Sequence, residues 1–166
     1  YSLAKIVCTH FLQMLYHNEN FHAVTLRLFL TYGSGQVSGR FLPQIIRGCL
    51  DNATFPTSAG DQLRDFCYLD DTVRAILQAL NVPKVDGEVF NIASGEPVSI
   101  REMIQKVCAL TSAGNPQYGV VPYRPRENMA LYANISKAKQ MLQWEPAISL
   151  DKGLQKTSDC FVYEHD

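Results

Sequence analysis

Gln62-Leu63-Arg64-Asp65-Phe66-Cys67-Tyr68-Leu69-Asp70-Asp71-Thr72-Val73 decides the fold of this 166-residue chain, because it joins a short apolar strand to a helix. Asp70 and Asp71 stand where the helix begins, and either carboxylate can accept the free backbone N–H groups of the first turn. Apolar residues then recur at helical spacing, which predicts that the helix buries one face, formed by Val73, Ile76, Leu77 and Leu80.

Arg64 is a fixed cation placed directly before the apolar part of this strand. Its fork of N–H donors suits a phosphate or a carboxylate that is held at two points. The alternative is a surface arginine paired with Asp65 or Asp61, and structural ion pairs of this kind are more common than ligand sites. Taken alone, the stretch leaves both interpretations open.

The composition indicates a globular domain of ordinary size. Hydrophobic residues make up 46% of the chain and charged residues 19%, with a net charge of -1. There is no excess of basic residues to indicate a nucleic-acid or membrane surface, and no apolar run of membrane-spanning length. The histidines show no metal-ligand spacing, so we predict no metal site. The cysteines form no C-x-x-C pair and indicate buried free thiols in the cytoplasm: Cys8, Cys49, Cys67, Cys108 and Cys160.

Strand and helix patterns alternate along the chain, which predicts an α/β fold. Residues 23–30 read as a strand covered on both faces, and it ends in a glycine-punctuated loop of the kind that binds ligands in open α/β sheets. Residues 89–93 read as a second strand. Ser99 and Glu102 form a capping box for a helix that reaches about Leu110.

Three further groups of residues are candidates for chemistry. Tyr1 and Lys5 lie one helical turn apart, where an ammonium can stabilise a phenolate for acid/base work, although this spacing is common on solvated helices. Phe55 can stack on a nucleotide base or simply pack in the interior. Arg124 and Arg126 flank a proline, which makes them either stiff, oriented donors or part of a solvated loop.

A series of segments resembles, in order, motifs of the extended short-chain dehydrogenase/reductase family, which comprises nucleotide-sugar epimerases, dehydratases and reductases. The Arg64 stretch is similar to R-D-[FWY]-x-x-V-x-D. The other matches are Tyr1 with Lys5 (Y-x-x-x-K), Arg27 to Gly33 (R-x-x-N-x-Y-G-P), Phe90 to Gly95 (F-N-I-G-S-G), Arg124 to Glu127 (R-P-G-[DE]), and Ser136 to Pro146 (S-K-A and L-G-W-x-P).

This resemblance implies the C-terminal part of a Rossmann-like parallel sheet together with a small α/β substrate-binding lobe. Residues 1–53 and about 64–93 would complete the sheet, and about 54–63 and 94–166 would form mainly the lobe. The glycine loop with which the family begins is absent from the sequence. We therefore expect residues 1–166 to be a C-terminal fragment that is inactive alone.

The resemblance also assigns roles to individual residues. Tyr1 would be the catalytic acid/base at a sugar carbon, with Lys5 supporting it and holding the nicotinamide ribose. NAD or NADP would contact Tyr1, Lys5, Phe29 and Leu30. A nucleotide-diphosphate sugar would bind at Leu30, Arg40, Phe41, Phe55, Thr57, Arg64 and Arg124, with the two last-named arginines on the diphosphate. The full-length enzyme is expected to be a homodimer.

Three positions depart from the family pattern: Leu30 replaces the usual Asn, Ser34 replaces Pro, and Arg126 fills a Gly position. These departures concern the particular substrate more than the family. The function implied is NAD(P)-dependent nucleotide-sugar epimerisation or dehydration by hydride transfer. Two alternatives stay open, a nucleotide-linked 4-keto-sugar reductase and a non-catalytic module that binds nucleotide diphosphates.

Overall fold

Helices and strands alternate along residues 2–163, the part of the chain described by the structure, which is a computed structural model. The helices are α1 Ser2–Glu19, α2 Phe41–Leu50, α3 Leu69–Asn81, α4 Ile100–Thr111 and α5 Leu150–Tyr163, with a short π-helical segment at Ala138–Leu142. The strands are β1 Thr25–Leu28, β2 Leu30–Tyr32, β3 Thr54–Pro56, β4 Leu63–Tyr68, β5 Val89–Ile92, β6 Pro97–Ser99, β7 Asn115–Gln117 and β8 Ala130–Leu131. The predicted α/β class is confirmed.

β4 is the central strand of the fold. Its second half pairs in parallel with β2, and its first half pairs antiparallel with β6 and in parallel with β8. β1 pairs in parallel with β5, and β3 pairs in parallel with β7. Most strand pairs are therefore parallel, and the first residues of β4 have a neighbouring strand on each edge.

The two faces of β4 belong to different cores, because side chains alternate along a strand. Phe66 and Tyr68 face a core built with helices α2, α4 and α5, which also contains Ile46, Met103, Ile104 and Leu154. Cys67 faces a second core that contains Ala75 of α3, Phe90, Leu142 and Trp144. Helix α4 begins as predicted, since the Ser99 side chain accepts a hydrogen bond from the Glu102 N–H, and Met103, Ile104 and Val107 are buried.

The strand predicted at residues 23–30 is instead two short strands in different sheets, β1 and β2, separated at Phe29. The expectation that this segment is covered on both faces is wrong. Leu28 is 47% exposed and Leu30 is 45% exposed. The high apolar content of residues 23–30 indicates a segment whose burial is favourable. It does not show that residues 2–163 supply the atoms that bury it.

Helix α3 forms where the sequence predicts it, but its apolar face is not buried within residues 2–163. Leu77 is 54% exposed and Leu80 is 77% exposed, and Val73 and Ile76 are also exposed. The face that packs inward carries small and polar residues: Asp71, Thr72 and Ala75. Helical periodicity identified the helix correctly and its buried face wrongly.

Asp71 does not cap α3, whose N-cap residue is Tyr68. The Asp71 carboxylate is buried and accepts hydrogen bonds from the backbone N–H groups of Ala147 at 3.0 Å and Ile148 at 2.9 Å. Arg74 donates to the same carboxylate at 2.6 Å. Asp70, the other predicted cap, lies 3.4 Å from the Lys156 ammonium. Asp71 thus fastens the segment before α5 to the start of α3.

Asp65 is a second buried carboxylate that holds distant segments by hydrogen bonds, and it lies on the opposite face of β4 from Phe66. One carboxylate oxygen accepts from the Ser94 N–H at 2.7 Å and from the Ser94 hydroxyl at 2.6 Å. The other oxygen accepts from the Gly95 N–H at 3.0 Å and the Ala133 N–H at 3.2 Å. Asp65 is 1% exposed. These bonds tie the loop after β5 and the segment after β8 to the central strand.

Candidate functional site

Arg64 lies in the rigid first half of β4, where its backbone pairs with Val98 of β6 and with Leu131 of β8. Its side chain points to the same face as Phe66, two residues further along the strand. The side chain is only 13% exposed. A strand held on both edges fixes the starting point of this long side chain, which reduces the freedom it loses when it binds a ligand.

The Arg64 guanidinium is anchored by the segment that precedes β8. One terminal nitrogen donates to the carbonyl oxygens of Leu63 and Asn128, each at 2.8 Å. The other terminal nitrogen forms an ion pair with the Glu127 carboxylate. The suggested pairing with Asp65 or Asp61 is wrong, because Asp65 faces the other side of β4 and Asp61 accepts a hydrogen bond from the Tyr123 hydroxyl at 3.0 Å.

A tight turn connects Arg124 to Glu127, the partner of Arg64 in this ion pair. The Glu127 N–H donates to the Arg124 carbonyl at 3.0 Å, closing a turn whose third residue, Arg126, has a φ of +61°. A positive φ at that position with proline before it is the pattern of a type II turn, which favours glycine. Arg124 and Glu127 are the two ends of the turn, so Arg124 lies three residues before the carboxylate that anchors Arg64, and its contact with a diphosphate stays a prediction.

Replacing Arg126 with glycine should stabilise the protein. A side chain at positive φ costs about 1–2 kcal/mol, and the extra freedom of glycine in the unfolded chain returns part of the gain. We expect Arg126→Gly to raise the free energy of unfolding by about 0.5–1 kcal/mol, measured by denaturant titration. Arg126→Lys, which keeps the side chain and its charge, should leave stability unchanged. A glycine variant that is less stable than the parent would contradict the assigned turn geometry.

The residues predicted around the nucleotide base come from α2 and β3. Phe41 begins α2 and its ring lies 6.3 Å from that of Phe66, centroid to centroid. Arg40, the N-cap residue of the same helix, is exposed. Phe55 is half-buried against Gly48, where an added Cβ would lie 2.8 Å from the ring. The structure therefore gives Phe55 a packing role, and its stacking on a base stays a prediction.

Thr57 is buried, and its hydroxyl donates to the Ser58 carbonyl at 3.0 Å. Its backbone links β3 to the segment after β7, because the Thr57 N–H donates to the Gln117 carbonyl and its own carbonyl accepts from the Val121 N–H. These contacts make Thr57 a structural residue that holds the end of β3 against β7, and contact with a substrate stays a prediction.

The residues predicted to contact the cofactor are only partly placed by the structure. Tyr1 lies outside the described residues. Lys5 is exposed in the first turns of α1. Phe29 and Leu30 follow the carboxyl end of β1, where Phe29 is half-buried beside Ala93 and Ala133. The proximity of Lys5 to this strand end therefore stays a prediction.

Phe29 and Leu30 lie just past the carboxyl end of a parallel strand pair, which is where ligands bind in open α/β sheets. Apolar side chains at this position are compatible with the flat nicotinamide ring. The pyrophosphate requires a glycine loop before a helix, and the sequence contains no such motif. Contact of Phe29 and Leu30 with the nicotinamide end of a dinucleotide therefore stays a prediction. Among residues 2–163 we find no cluster of three or more metal-binding side chains.

A cavity of about 450 Å³ lies elsewhere, between β6, α4 and the segment before α5. Its floor is apolar, with Phe66 and Val98, and its mouth is charged, with Glu102, Lys106 and Asp151. It contains none of the predicted site residues. Because Lys106 and Asp151 pair with each other at 2.7 Å, we do not assign the phosphate-binding role to this cavity.

Comparison with known proteins identifies the family. Residues 1–157 match the family model described as GDP-mannose 4,6 dehydratase. The chain belongs to this family. The relatives that match the chain include nucleotide-sugar epimerases and dehydratases of the extended short-chain dehydrogenase/reductase type. The resemblance seen in the motifs is therefore confirmed.

Curated relatives match over most of the chain. dTDP-glucose 4,6-dehydratase of Xanthomonas campestris is 26% identical over 98% of the chain and 49% of its own length. CDP-abequose synthase of Salmonella muenchen is 31% identical over 80% of the chain and 45% of its own length. The chain thus spans about half the length of the curated relatives it matches.

Two solved structures show the same fold. UDP-glucose 4-epimerase of Thermotoga maritima, determined with UDP-glucose, is 27% identical, covers 100% of the chain and 54% of its own chain, and superposes with a TM-score of 0.92. UDP-glucuronic acid 4-epimerase of Bacillus cereus, determined with UDP-glucuronic acid and NAD, is 30% identical, covers 93% and 50%, and has a TM-score of 0.84. The Rossmann-like fold class is therefore confirmed.

Proposed function

We propose that the protein acts in the NAD(P)-dependent epimerisation or dehydration of a nucleotide-diphosphate sugar, and that residues 2–163 supply the site for the nucleotide diphosphate. One observation carries this proposal. Arg64 is fixed on a doubly paired strand, and the turn that anchors it through Glu127 also presents Arg124. If the Arg124 side chain turns towards Arg64, the two guanidinium groups would match the two negative phosphate groups of a diphosphate.

The anchoring of Arg64 leaves capacity for a ligand. A guanidinium has five N–H donors, and the bonds to Leu63, Asn128 and Glu127 account for three of them. Glu127 also offsets the charge of Arg64 before the substrate arrives. When a diphosphate binds, Arg64 and Arg124 would neutralise it together, while Phe55 and the start of α2 would flank the base.

The remaining roles follow the family assignment. Bound NAD(P) would accept or donate a hydride at a sugar carbon. The Tyr1 phenol would exchange the proton of the sugar hydroxyl as the carbon is oxidised or reduced, and the Lys5 ammonium would stabilise the phenolate between these steps. Leu30 at the strand end would pack against the sugar side of the site, where its apolar side chain makes no hydrogen bond.

We further propose that a nucleotide-binding half packs against the exposed apolar residues of β1, β2 and α3. Leu28, Leu30, Ile76 and Leu77 are each exposed by at least 41%, and groups of exposed apolar residues mark interfaces. The exposed apolar residues of α1, which include Leu3, Val7 and Phe11, would meet a second copy in a homodimer. No helix within residues 2–163 is long and apolar enough to cross a membrane, and we propose a cytoplasmic location.

Removal of Arg64 tests the proposal. Titration calorimetry of the purified protein with UDP, dTDP, GDP and CDP should identify a preferred nucleoside diphosphate. Arg64→Ala should then weaken its binding by about 1.5–3 kcal/mol, a factor of roughly 10–150, because a charge-assisted hydrogen bond is lost. Arg64→Lys keeps the positive charge but loses the forked set of N–H donors. Its affinity for the nucleoside diphosphate should therefore lie between those of the parent and of Arg64→Ala.

The matched control is Arg47→Ala. Arg47 is an exposed arginine of α2 whose guanidinium lies 5.6 Å from the Phe161 ring centroid, so its removal should not change nucleotide affinity. Circular dichroism checks that each variant is folded. Equal affinity of the parent and a folded Arg64→Ala variant, or an equal loss in both alanine variants, would exclude a diphosphate site at Arg64.

A further inference from the structure

Two cysteines from different helices meet in the larger core. Cys49 near the end of α2 and Cys108 near the end of α4 have their Sγ atoms 3.5 Å apart, although they lie 59 positions apart in the sequence. Cys49 is fully buried, whereas Cys108 is half-buried. Both are free thiols in this structure.

The surroundings hold these two sulfurs in contact. Gly114, in the loop after α4, packs directly on Cys49, and a Cβ on that glycine would lie 2.6 Å from the sulfur. The same loop is tied to the end of α2, because the Gly114 N–H donates to the Asn52 side chain at 3.2 Å. The Tyr118 hydroxyl is also buried there, without a hydrogen-bond partner among the described residues.

The chemistry of the two thiols differs. Burial, together with the hydrogen bond to Cys108, raises the pKa of the Cys49 thiol to about 12, so Cys49 stays protonated at neutral pH. A protonated, enclosed thiol is a poor first target for an oxidant. Cys108 is the one that an oxidant can reach, and Cys49 is placed to react with the product.

We propose that Cys49 and Cys108 form an intrachain disulfide when the protein is exposed to a peroxide. The Cys108 thiolate attacks one peroxide oxygen, which gives a sulfenic acid and, after protonation of the leaving oxygen, an alcohol or water. Cys49 then attacks the Cys108 sulfur, the S–O bond breaks, and the oxygen leaves as water with the Cys49 proton. Two thiols lose two electrons in total, and the peroxide gains them.

The required movement is small. The sulfurs, now 3.5 Å apart, must approach to the disulfide length of about 2.05 Å. The cross-link would join α2 to α4 and close a long loop of the chain. A disulfide across a long loop lowers the conformational entropy of the unfolded state and so stabilises the folded protein. Because burial raises the pKa of the Cys49 thiol, its attack on the Cys108 sulfur should be slow, and we expect the disulfide to form over minutes to hours.

The test uses the purified protein with and without hydrogen peroxide, followed by alkylation under denaturing conditions and digestion with trypsin. The expected product is one disulfide-linked pair of peptides, residues 48–64 and 107–126, which dithiothreitol separates. The oxidised protein should also melt several degrees higher than the reduced protein. Cys160→Ala is the matched control and should form the same cross-link.

Cys49→Ala supplies an independent readout. Without Cys49 the sulfenic acid on Cys108 has no partner, so dimedone should label Cys108 in this variant and label it far less in the parent. The proposal is overturned if both cysteines are still alkylated after peroxide treatment, if Cys108 goes on to sulfinic acid without a cross-link, or if the linked peptides contain Cys8 or Cys160 instead.

Discussion

Asp65→Ala should destabilise the protein by about 3–5 kcal/mol, because it removes a buried carboxylate and leaves its donors without an acceptor. The donors are the Ser94 N–H, the Ser94 hydroxyl, the Gly95 N–H and the Ala133 N–H. For a chain of this size the melting temperature should fall by about 6–20 °C. Denaturant titration followed by circular dichroism measures the change.

The control for Asp65 is Asp86→Ala. Asp86 pairs with His22 at 3.0 Å, but both side chains are well exposed, so its removal should cost no more than about 1 kcal/mol. Asp65→Asn should be intermediate, because its amide keeps one acceptor oxygen and turns an N–H₂ group towards the other donors. If Asp65→Ala cost no more than Asp86→Ala, the loops after β5 and β8 would not depend on the Asp65 carboxylate.

Trp144→Ala should destabilise the protein by a similar amount, about 3–5 kcal/mol, through loss of buried volume. Trp144 is 1% exposed and packs with Phe90 and Leu142 in the core beside α3. Its indole N–H donates to the Asp71 carbonyl at 3.0 Å, so truncation also leaves that buried carbonyl without this donor. Because the chain has a single tryptophan, unfolding of the variant must be followed by circular dichroism.

Trp144→Phe separates the two contributions. Phenylalanine keeps much of the buried ring but cannot donate to the Asp71 carbonyl, so we expect a loss of about 1–3 kcal/mol. A phenylalanine variant as unstable as the alanine variant would show that the hydrogen bond, and not the packing, accounts for the effect. An alanine variant with unchanged stability would contradict the buried position of Trp144.

The sequence predicted well those features that depend on neighbours along the chain. The N-cap at Ser99, the buried face of α4 and the position of α3 all follow from spacings of a few residues. The sequence-based predictions were wrong where the partner of a residue comes from a distant segment of the chain. Arg64 pairs with Glu127, which is 63 positions away, and neighbouring Asp residues were the only partners that local spacing could offer.

Two misjudged features share a physical cause. The apolar face of α3 was predicted to be buried because its residues repel water, but periodicity does not identify what covers a face. Asp65 and Asp71 look like surface or capping residues in the sequence, and they are buried because backbone N–H groups from distant loops converge on them. The only signal for Asp65 was its place in the family motif.

The fastening at Asp71 has a consequence for the order of events during synthesis. The Ala147 and Ile148 N–H groups lie 76 and 77 positions after Asp71, so at about 5–20 residues per second the ribosome adds them roughly 4–15 s later. Until then the Asp71 carboxylate has only Arg74 and water as partners. During this interval the unit formed by β4 and α3 carries a charged, hydrated carboxylate at the start of the helix. That charge opposes premature association of the apolar side chains of this unit with other nascent chains.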